Sequence, residues 1–228
     1  MITLYIGNKN YSSWSLRPWL VLRWSGLAFE EQLIRLDQPG YGQGQIAEVL
    51  AVSPTGLVPA LKAGELQLWD SLAISEWVAE QAPAAQLWPA DSDTRALARA
   101  ATAQMHSGFA AMRRDLSMNI RRRCKPELPP AAREDLARVQ ALWNALRARH
   151  AHLGPYLCGQ RSIADAFYTP VATRMRSYGV ELGPVAAAYR DLLLSDADFQ
   201  AWEADCLPAS WDASGYSVID GMYPGTDL

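Results

Sequence analysis

The sequence predicts an α+β domain at residues 1–82, a linker at 83–93 and an all-α domain at 94–228. Three observations support this division. Short runs of β-branched or alternating apolar residues occur in the first third of the chain and then stop. Proline and alanine accumulate next, as in many connections between domains. Beyond them, apolar residues recur at helical spacing over most of the remaining chain.

The composition is that of a globular protein and argues against several classes of partner. Half of the 228 residues are hydrophobic, a fifth are charged, and the formal net charge is −3. This charge argues against a nucleic-acid polymer or an anionic membrane surface as partner. No apolar run reaches the roughly 20 residues that span a bilayer, and the amino terminus has no signal-peptide pattern. We therefore expect a cytoplasmic protein.

Cysteine and histidine residues are few and lie far apart. The three cysteines are odd in number, which favours a reducing compartment over a disulfide framework. The three histidines have no metal-ligand spacing with one another or with cysteine. We therefore expect no metal ion.

The first two elements are a strand and a helix. The strand is predicted at Ile2–Ile6, where β-branched and apolar residues precede a turn. The helix follows because apolar residues recur at helical spacing from Leu16 to Trp24, and Gly26 then ends the pattern.

The rest of this domain is predicted to add a strand, a short helix, a hairpin and a longer helix. Their ranges are Glu30–Leu36, Gln45–Leu50, Val58–Lys62 with Leu66–Trp69, and a helix that opens at Asp70-Ser71 and ends before Pro83. Pro59 fits a strand start, because proline donates no ladder hydrogen bond, and a cis Val58–Pro59 bond would explain its position. The order β-α-β-α-β-β-α is that of a thioredoxin-like domain with a four-stranded mixed sheet.

Two adjacent serines, Ser12 and Ser13, stand where the first helix begins. A helix start offers unpaired N–H groups and the positive end of the helix dipole, which together stabilise an anion such as a thiolate. The alternative is a simple N-cap, which stabilises a helix by about 1 kcal/mol. On this stretch alone the cap is the favoured interpretation.

Three stretches resemble the amino-terminal half of cytosolic glutathione S-transferases, in that family's order and spacing. They are Ser12-Ser13-Trp14-Ser15-Leu16-Arg17, Val58-Pro59-Ala60-Leu61 and Asp70-Ser71-Leu72-Ala73-Ile74. The first is similar to the Ser-Ser-Cys-x-x-Arg motif of the zeta class, the maleylacetoacetate isomerase type. Trp14 stands where that class has its cysteine, so a role that depends on that sulfur does not carry over.

The resemblance implies how glutathione, the expected co-substrate, is held. The backbone of Val58, kept extended by Pro59, pairs with the cysteinyl unit as an added strand would. Ser71 binds the γ-glutamyl carboxylate at a helix start, and Asp70 accepts from the ammonium group of the same unit. For each stretch the alternative is a purely structural role, a strand entry or a cap.

The resemblance also implies which group stabilises the glutathione sulfur. Aligning Arg17 with the family arginine makes Ser12 the hydroxyl that donates to the thiolate. Ser13 is one residue away and remains an alternative, while Arg17 either orients the loop or is a surface cation. A free thiol has a pKa of about 8.5, and lowering it by one unit requires about 1.4 kcal/mol.

The second domain is predicted to be a series of helices. They cover Asp93–Arg123 with Gly108 tolerated inside, Pro130 to about His152, a helix that begins after Ser162, Pro184–Leu194 and Asp196–Cys206. Ser162 and Asp165 fit a capping box with Asp in place of the usual Glu, so we assign both to folding. The tail from about Leu207 is predicted to pack over the first domain or to be partly loose.

The co-substrate pocket is expected between the domains, lined by aromatic and methionine side chains. The candidates are Trp14, Met105, Met112 and Tyr168. The zeta class also holds a substrate-binding arginine in this region, and the resemblance suggests Arg174 or Arg176. For each of these side chains the alternative is core packing.

The resemblance implies a homodimeric glutathione S-transferase, in which the activated thiol attacks a small electrophile in a detoxification reaction. Two alternatives remain: a glutathione-dependent cis-trans isomerase of the maleylacetoacetate type, and a non-catalytic module for binding or assembly. A glutaredoxin-type reductase is disfavoured, because no cysteine lies in the loop before the first helix. The sequence does not identify the electrophile.

Overall fold

The computed structural model describes residues 1–36, 38–40 and 42–206. Its four strands are β1 (Ile2–Ile6), β2 (Phe29–Leu33), β3 (Ala60–Ala63) and β4 (Leu66–Trp69). They form one sheet in the order β2-β1-β3-β4. β1 pairs in parallel with β2 and antiparallel with β3, and β3 pairs antiparallel with β4. The four-stranded mixed sheet is therefore confirmed.

Two strand boundaries differ from the sequence prediction. β2 ends at Leu33 rather than at Leu36, because Leu33 pairs with Ile6, where β1 itself ends. β3 begins at Ala60, directly after Pro59, which has no N–H to donate to the sheet. The Val58–Pro59 peptide bond is cis.

Three helices complete the first domain: α1 (Ser13–Ser25), α2 (Ala47–Leu50) and α3 (Ser71–Gln81). α1 and α3 pack against each other, and apolar side chains of both, including Leu16, Leu20 and Ile74, are fully buried. α1 ends where Gly26 adopts a left-handed conformation with φ +74°. These contacts fix the starting residues of α1 and α3 relative to the sheet.

Six further helices follow a short 3₁₀ turn at Pro83–Ala85 in the described part of the chain. They are α4 (Ser92–Ser107), α5 (Ala110–Asp115), α6 (Pro130–His150), α7 (Ile163–Ser177), α8 (Pro184–Leu194) and α9 (Ala197–Ala204). None of the helices described is long and apolar enough to cross a bilayer. The predicted tail from Leu207 lies outside the described residues.

The prediction of one helix over Asp93–Arg123 is wrong. Gly108 is extended (φ −98°, ψ −169°) and ends α4, and Phe109 then turns with φ +54°. A Cβ at Gly108 would lie 2.5 Å from the backbone oxygen of Gln104, so the chain passes too close for any side chain. After α5 the chain forms no helix or strand until α6.

α7 runs through the core of the second domain, with 14 of its residues buried. Its start follows the predicted capping motif. Asp165 Oδ2 accepts from the backbone N–H of Ser162 at 2.8 Å and from its hydroxyl at 3.1 Å. Asp165 Oδ1 accepts from Leu157 N at 3.0 Å and from the Tyr189 hydroxyl at 2.7 Å. A single buried carboxylate thus joins the loop before α7 to α8.

Lys9 connects the loop before α1 to the second domain. Lys9 Nζ lies 2.7 Å from Glu31 Oε1 and 2.5 Å from Asp205 Oδ2. It also lies 5.4 Å and 5.2 Å from the ring centroids of Trp19 and Trp202. The indole N–H of Trp202 donates to the backbone oxygen of Lys9 at 2.9 Å.

The same loop is bound to the segment that follows α5. Asn10 Nδ2 donates to Asn119 Oδ1 at 2.9 Å, and Asn10 Oδ1 accepts from Arg121 N at 3.0 Å. The backbone N–H of Ile120 donates to Asn10 O at 3.2 Å. The residues just before α1 are therefore positioned by both domains.

Candidate active site

A cavity of about 230 Å³ lies beside the starts of α1 and α3. Its walls are formed by Trp14, Thr55, Leu57, Val58, Pro59, Trp69, Asp70 and Ser71. Five of these residues are candidates from the sequence, and they come from three separate stretches of the chain. The fold brings them together because β3, β4 and α3 follow one another directly after the Val58–Pro59 turn.

Ser71 is the first residue of α3 and is 1% exposed. Its hydroxyl has no hydrogen-bond partner among the described residues. A buried polar atom left unpaired in this way costs about 1–3 kcal/mol. Because the atom stands at a helix start on a cavity wall, it is suited to an anionic ligand such as a carboxylate.

Asp70 caps α3 from a strained backbone conformation, with φ +74° and ψ 130°. Its Oδ1 accepts from Leu72 N at 2.8 Å and from Ala73 N at 3.1 Å. Its Oδ2 lies 3.2 Å from Nε2 of His106 on α4. Oδ1 of Asp70 thus caps α3, while Oδ2 faces His106 of the second domain.

Val58 lines the cavity beside its cis peptide bond to Pro59. Among the described residues, neither its N–H nor its C=O makes a backbone hydrogen bond. Both groups are therefore available to an extended peptide lying along the cavity.

Ser12 is the N-cap of α1 and is 7% exposed. Its hydroxyl donates to Ser15 Oγ at 2.7 Å and accepts weakly from Ser15 N at 3.4 Å. Ser15 Oγ accepts in turn from Gly7 N at 3.1 Å. The Ser12 hydroxyl is therefore part of a local network that joins α1 to the end of β1.

Ser13, the first residue of α1, makes a different contact. Its Oγ accepts a hydrogen bond from Nη2 of Arg174 on α7, at 3.1 Å. Ser13 is 6% exposed, and the next residue, Trp14, lines the cavity. The predicted alternative serine and one of the two predicted arginines are thus in contact.

Arg17 is fully buried, and none of its three guanidinium nitrogens has a partner among the described residues. The guanidinium carbon lies 4.2 Å from the ring centroid of Trp14 and 4.9 Å from that of Phe167. Burial, reinforced by the charges of Arg174 and Arg113, lowers the pKa of Arg17 to about 9. Arg17 is therefore not a surface cation, and it remains charged at neutral pH.

His106 was not among the residues singled out in the sequence. Its ring meets the edge of Trp14 at 5.3 Å, and its Nδ1 is buried without a partner in the described chain. Burial lowers the pKa of His106, as do Arg17 and Arg113, whereas Asp70 raises it. No motif marks this position, and the only available signal was its place beside Met105, one of the predicted pocket residues.

Four other predicted pocket residues lie away from the cavity. Met105, Met112 and Tyr168 are buried in the hydrophobic core, and the Tyr168 hydroxyl donates to Ala101 O at 3.1 Å. Arg176 is paired with Glu203 of α9. For Met105, Met112 and Tyr168 core packing is the observed arrangement.

Known proteins resemble this chain in sequence and in fold. A family model described as the glutathione S-transferase N-terminal domain matches residues 11–81. Maleylacetoacetate isomerase from Rattus norvegicus is 29% identical over 182 residues, which are 79% of this chain and 81% of the relative. Maleylpyruvate isomerase from Ralstonia sp is 29% identical over 192 residues, which are 77% and 86% of the two chains.

Solved structures agree with these relatives. A glutathione transferase homolog from Burkholderia gl BGR1, with bound glutathione, has a TM-score of 0.68 at 25% identity and covers 90% of this chain and 97% of its own. A theta class glutathione S-transferase from Xanthomonas axonopodis pv. citri, with glutathione bound, has a TM-score of 0.62 at 26% identity, covering 88% and 95%. The family model, the sequence relatives and the fold of the described residues therefore agree that the chain is similar to cytosolic glutathione S-transferases.

Proposed function

We propose that this protein is a glutathione S-transferase, which activates the glutathione thiol through a serine hydroxyl for attack on an electrophilic small molecule. The observation that carries the proposal is the cavity itself. It joins the unpaired Ser71 hydroxyl, the unpaired backbone of Val58 and the start of α1. Similar proteins with glutathione bound support the identity of the ligand.

The proposed pose of glutathione follows from the polar groups on the cavity wall. The γ-glutamyl carboxylate binds the Ser71 hydroxyl and the N–H groups at the start of α3. The ammonium group of the same unit is held by Asp70 Oδ2, the oxygen that faces His106. The cysteinyl unit extends along Val58 and exchanges backbone hydrogen bonds with it.

This pose directs the thiol toward the start of α1. There the thiol loses its proton to solvent, and the thiolate is stabilised by the helix dipole and by a serine hydroxyl, Ser12 or Ser13. The thiolate then forms a carbon–sulfur bond with the electrophile. The displaced electron pair departs with a leaving group such as halide or, in addition to an activated alkene, moves from the π bond to the neighbouring carbon, which takes a proton from solvent. Stabilisation by about 1.4 kcal/mol lowers the thiol pKa by one unit and raises the thiolate fraction near neutral pH about tenfold.

A second candidate is a glutathione-dependent cis-trans isomerase of the maleylacetoacetate type. The names of two relatives suggest it, and so do three neighbouring arginines. The charges of Arg174 and Arg113 lower the pKa of Arg17, and that of Arg113 lowers the pKa of Arg174. Neither Arg17 nor Arg174 has a carboxylate partner in the described chain. A substrate with two carboxylates would complement these charges.

We further propose that the enzyme works in the cytoplasm as a homodimer. The side chains of Leu66 and Trp69 on strand β4, at the edge of the sheet, are 40% and 44% exposed, which is consistent with a partner there. Sedimentation equilibrium tests this expectation. A dimer gives twice the mass of the 25.2 kDa chain, and a monomer contradicts it.

The test of function is calorimetric titration with glutathione, followed by assays with an activated aryl halide and a maleyl-type cis-alkene. Conjugation of the halide supports the transferase, and isomerisation of the alkene without net loss of glutathione supports the isomerase. Binding without turnover of either substrate supports the non-catalytic module. Absence of glutathione binding rejects both enzymatic functions.

A further inference from the structure

We propose that Arg174, a residue of the second domain, positions the hydroxyl of Ser13, and that Ser13 rather than Ser12 donates the hydrogen bond to the glutathione thiolate. This inference rests on the proposed function and states which groups carry out its central step. It also gives the second domain a direct part in activating the thiol.

The Ser12 hydroxyl already makes hydrogen bonds within the protein. Its proton is donated to Ser15 Oγ at 2.7 Å, and Ser15 Oγ also holds the backbone N–H of Gly7 at 3.1 Å. Turning the Ser12 proton toward a thiolate would break the hydrogen bond from Ser12 to Ser15 Oγ. The geometry is that of an N-cap, the alternative that the sequence left open.

The hydroxyl oxygen of Ser13 accepts a hydrogen bond from Arg174, and the hydroxyl proton remains available for donation. Arg174 Nη2 donates to Ser13 Oγ at 3.1 Å, so the hydroxyl proton must point away from the guanidinium. No described residue accepts that proton. A hydroxyl that accepts one hydrogen bond becomes a better donor in the next, because the two bonds polarise each other.

Hydrogen bonds to two backbone oxygens hold the Arg174 side chain in place. Its Nε donates to Leu116 O at 2.8 Å, and its Nη1 donates to Pro170 O at 3.0 Å. With Ser13 these contacts use all three nitrogens of the guanidinium, which is 3% exposed as a residue. The Ser13 hydroxyl is therefore set against a rigid group rather than a mobile side chain.

Arg174 also contributes a positive charge beside Ser13. Burial, with a contribution from Arg113, lowers the pKa of Arg174 to about 10, although Tyr178 opposes the shift. Arg174 therefore stays protonated at neutral pH. With the buried Arg17 and the amino end of α1, it makes the surroundings of Ser13 positive, and the anion that this field favours is the thiolate.

The experiment measures the thiol pKa of enzyme-bound glutathione from the ultraviolet absorbance of the thiolate as a function of pH. Ser12→Ala and Ser13→Ala form a matched pair on adjacent residues. Ser13→Ala is expected to raise the thiol pKa by about one unit and to lower kcat/KM below that pKa about tenfold. Ser12→Ala is expected to lower thermal stability and leave the thiol pKa unchanged, and Ser13→Thr is expected to restore the wild-type value.

Arg174→Lys tests the positioning role, because lysine keeps the charge and loses the planar fork that holds Ser13. It is expected to raise the thiol pKa in the wild-type background and to add nothing in the Ser13→Ala background. Arg176→Lys, two residues along α7, is the control and leaves the thiol pKa unchanged, because Arg176 is paired with Glu203.

Three results would overturn the inference: a wild-type thiol pKa in Ser13→Ala, a raised one in Ser12→Ala, or slower turnover in Arg174→Lys without a change in thiol pKa. If Arg174→Lys does not fold, the two serine variants still decide which hydroxyl is the donor. Arg174→Gln, measured in both serine backgrounds, then decides the positioning role. A normal thiol pKa in the wild-type complex would instead refute the thiol activation on which the inference rests.

Discussion

Several buried polar atoms without a partner in the described chain lie on the cavity wall or against Trp14, which lines it. They include the Ser71 hydroxyl, the Arg17 guanidinium and Nδ1 of His106. Leaving each of these atoms unpaired costs roughly 1–3 kcal/mol, and more for the charged group. Native proteins leave few buried groups unpaired, so their presence around one cavity indicates a polar ligand.

The Ser71 hydroxyl provides the sharpest test of the glutathione pose. Ser71→Ala is expected to weaken glutathione binding about tenfold in a calorimetric titration, because a hydrogen bond to a charged carboxylate contributes about 1.5 kcal/mol. Stability should change little, since this hydroxyl has no partner in the described chain. Ser75→Ala, one turn along α3, is the control, because the Ser75 hydroxyl already donates to Ser71 O at 2.7 Å. Equal affinities for Ser71→Ala and the wild type would contradict the pose.

His106 is expected to make stability depend on pH. Burial holds its pKa in the folded chain below 6.5, so the unfolded chain binds more protons as pH falls past 6.5. The stabilising contribution of neutral His106 is present above pH 6.5 and is lost as pH falls toward the folded pKa. The difference in unfolding free energy between wild type and His106→Gln should therefore narrow from about pH 7.5 to about pH 5.5. A widening difference would mean that His106 gains its proton more readily in the folded protein.

At the residue scale, Val58, Pro59, Asp70 and Ser71 were correctly grouped as neighbours, because the resemblance to glutathione S-transferases covers both stretches. It could not find His106, since no motif marks the residue and only the packing of α4 brings it to Asp70. Nor could it choose between Arg174 and Arg176. The two arginines differ because Arg176 is paired with Glu203, a residue of α9 that lies further along the chain.

At the scale of single elements, the start of α7 depends on one carboxylate. Asp165 is fully buried and accepts from Ser162, Leu157 and Tyr189. The helix itself is almost entirely buried. Asp165 therefore links the buried helix α7 to the loop that contains Leu157 and to α8.

Replacing Asp165 by alanine is expected to lower the free energy of unfolding by about 3 kcal/mol, because several buried donors lose their acceptor together. Asp165→Asn keeps one acceptor oxygen and should lose less. Chemical denaturation measures both values. A loss in Asp165→Ala no larger than that of an exposed substitution would contradict this role of the carboxylate.

The elements also show where sequence patterns are insufficient. The boundaries of β1, β4 and α8 follow from periodicity and turn residues, and the structure confirms them. The break at Gly108 was missed, because a glycine inside an amphipathic pattern is tolerated in some helices. α4 ends where Gly108 becomes extended and Phe109 turns with φ +54°, and no local pattern predicts this change of backbone conformation.

At the scale of the whole molecule, the two domains meet through a charged side chain buried between aromatic rings. Lys9 lies between Trp19 and Trp202, and its charge is balanced by Glu31 and Asp205. This contact fixes the loop that leads into α1, and it thereby sets the position of Ser12 and Ser13 relative to the second domain.

Trp202→Ala is expected to lower the free energy of unfolding by about 3–5 kcal/mol, because it opens a cavity and removes the hydrogen bond to Lys9 O. Leu153→Ala, at a position 44% exposed, is the control truncation and should lose much less. Equilibrium denaturation compares the two. Similar losses for both variants would show that the contact between domains contributes little.

The overall architecture was predictable, because a β-α-β-α-β-β-α order followed by helical periodicity leaves few alternatives. The contact between domains was not. Lys9 and Trp202 are 193 residues apart, and their pairing depends on how the helices pack after the chain has turned many times. Long-range contacts of this kind leave no trace in local spacing.

The central claim is that glutathione binds in the cavity between α1 and α3, and a crystal structure of the complex tests it most directly. We predict the γ-glutamyl carboxylate within hydrogen-bond distance of Ser71 Oγ, the cysteinyl backbone paired with Val58, and the sulfur at the start of α1. Glutathione found elsewhere, for example in the groove lined by Asn144, Arg147 and Val185, or a cavity left empty at saturating glutathione, would contradict the account.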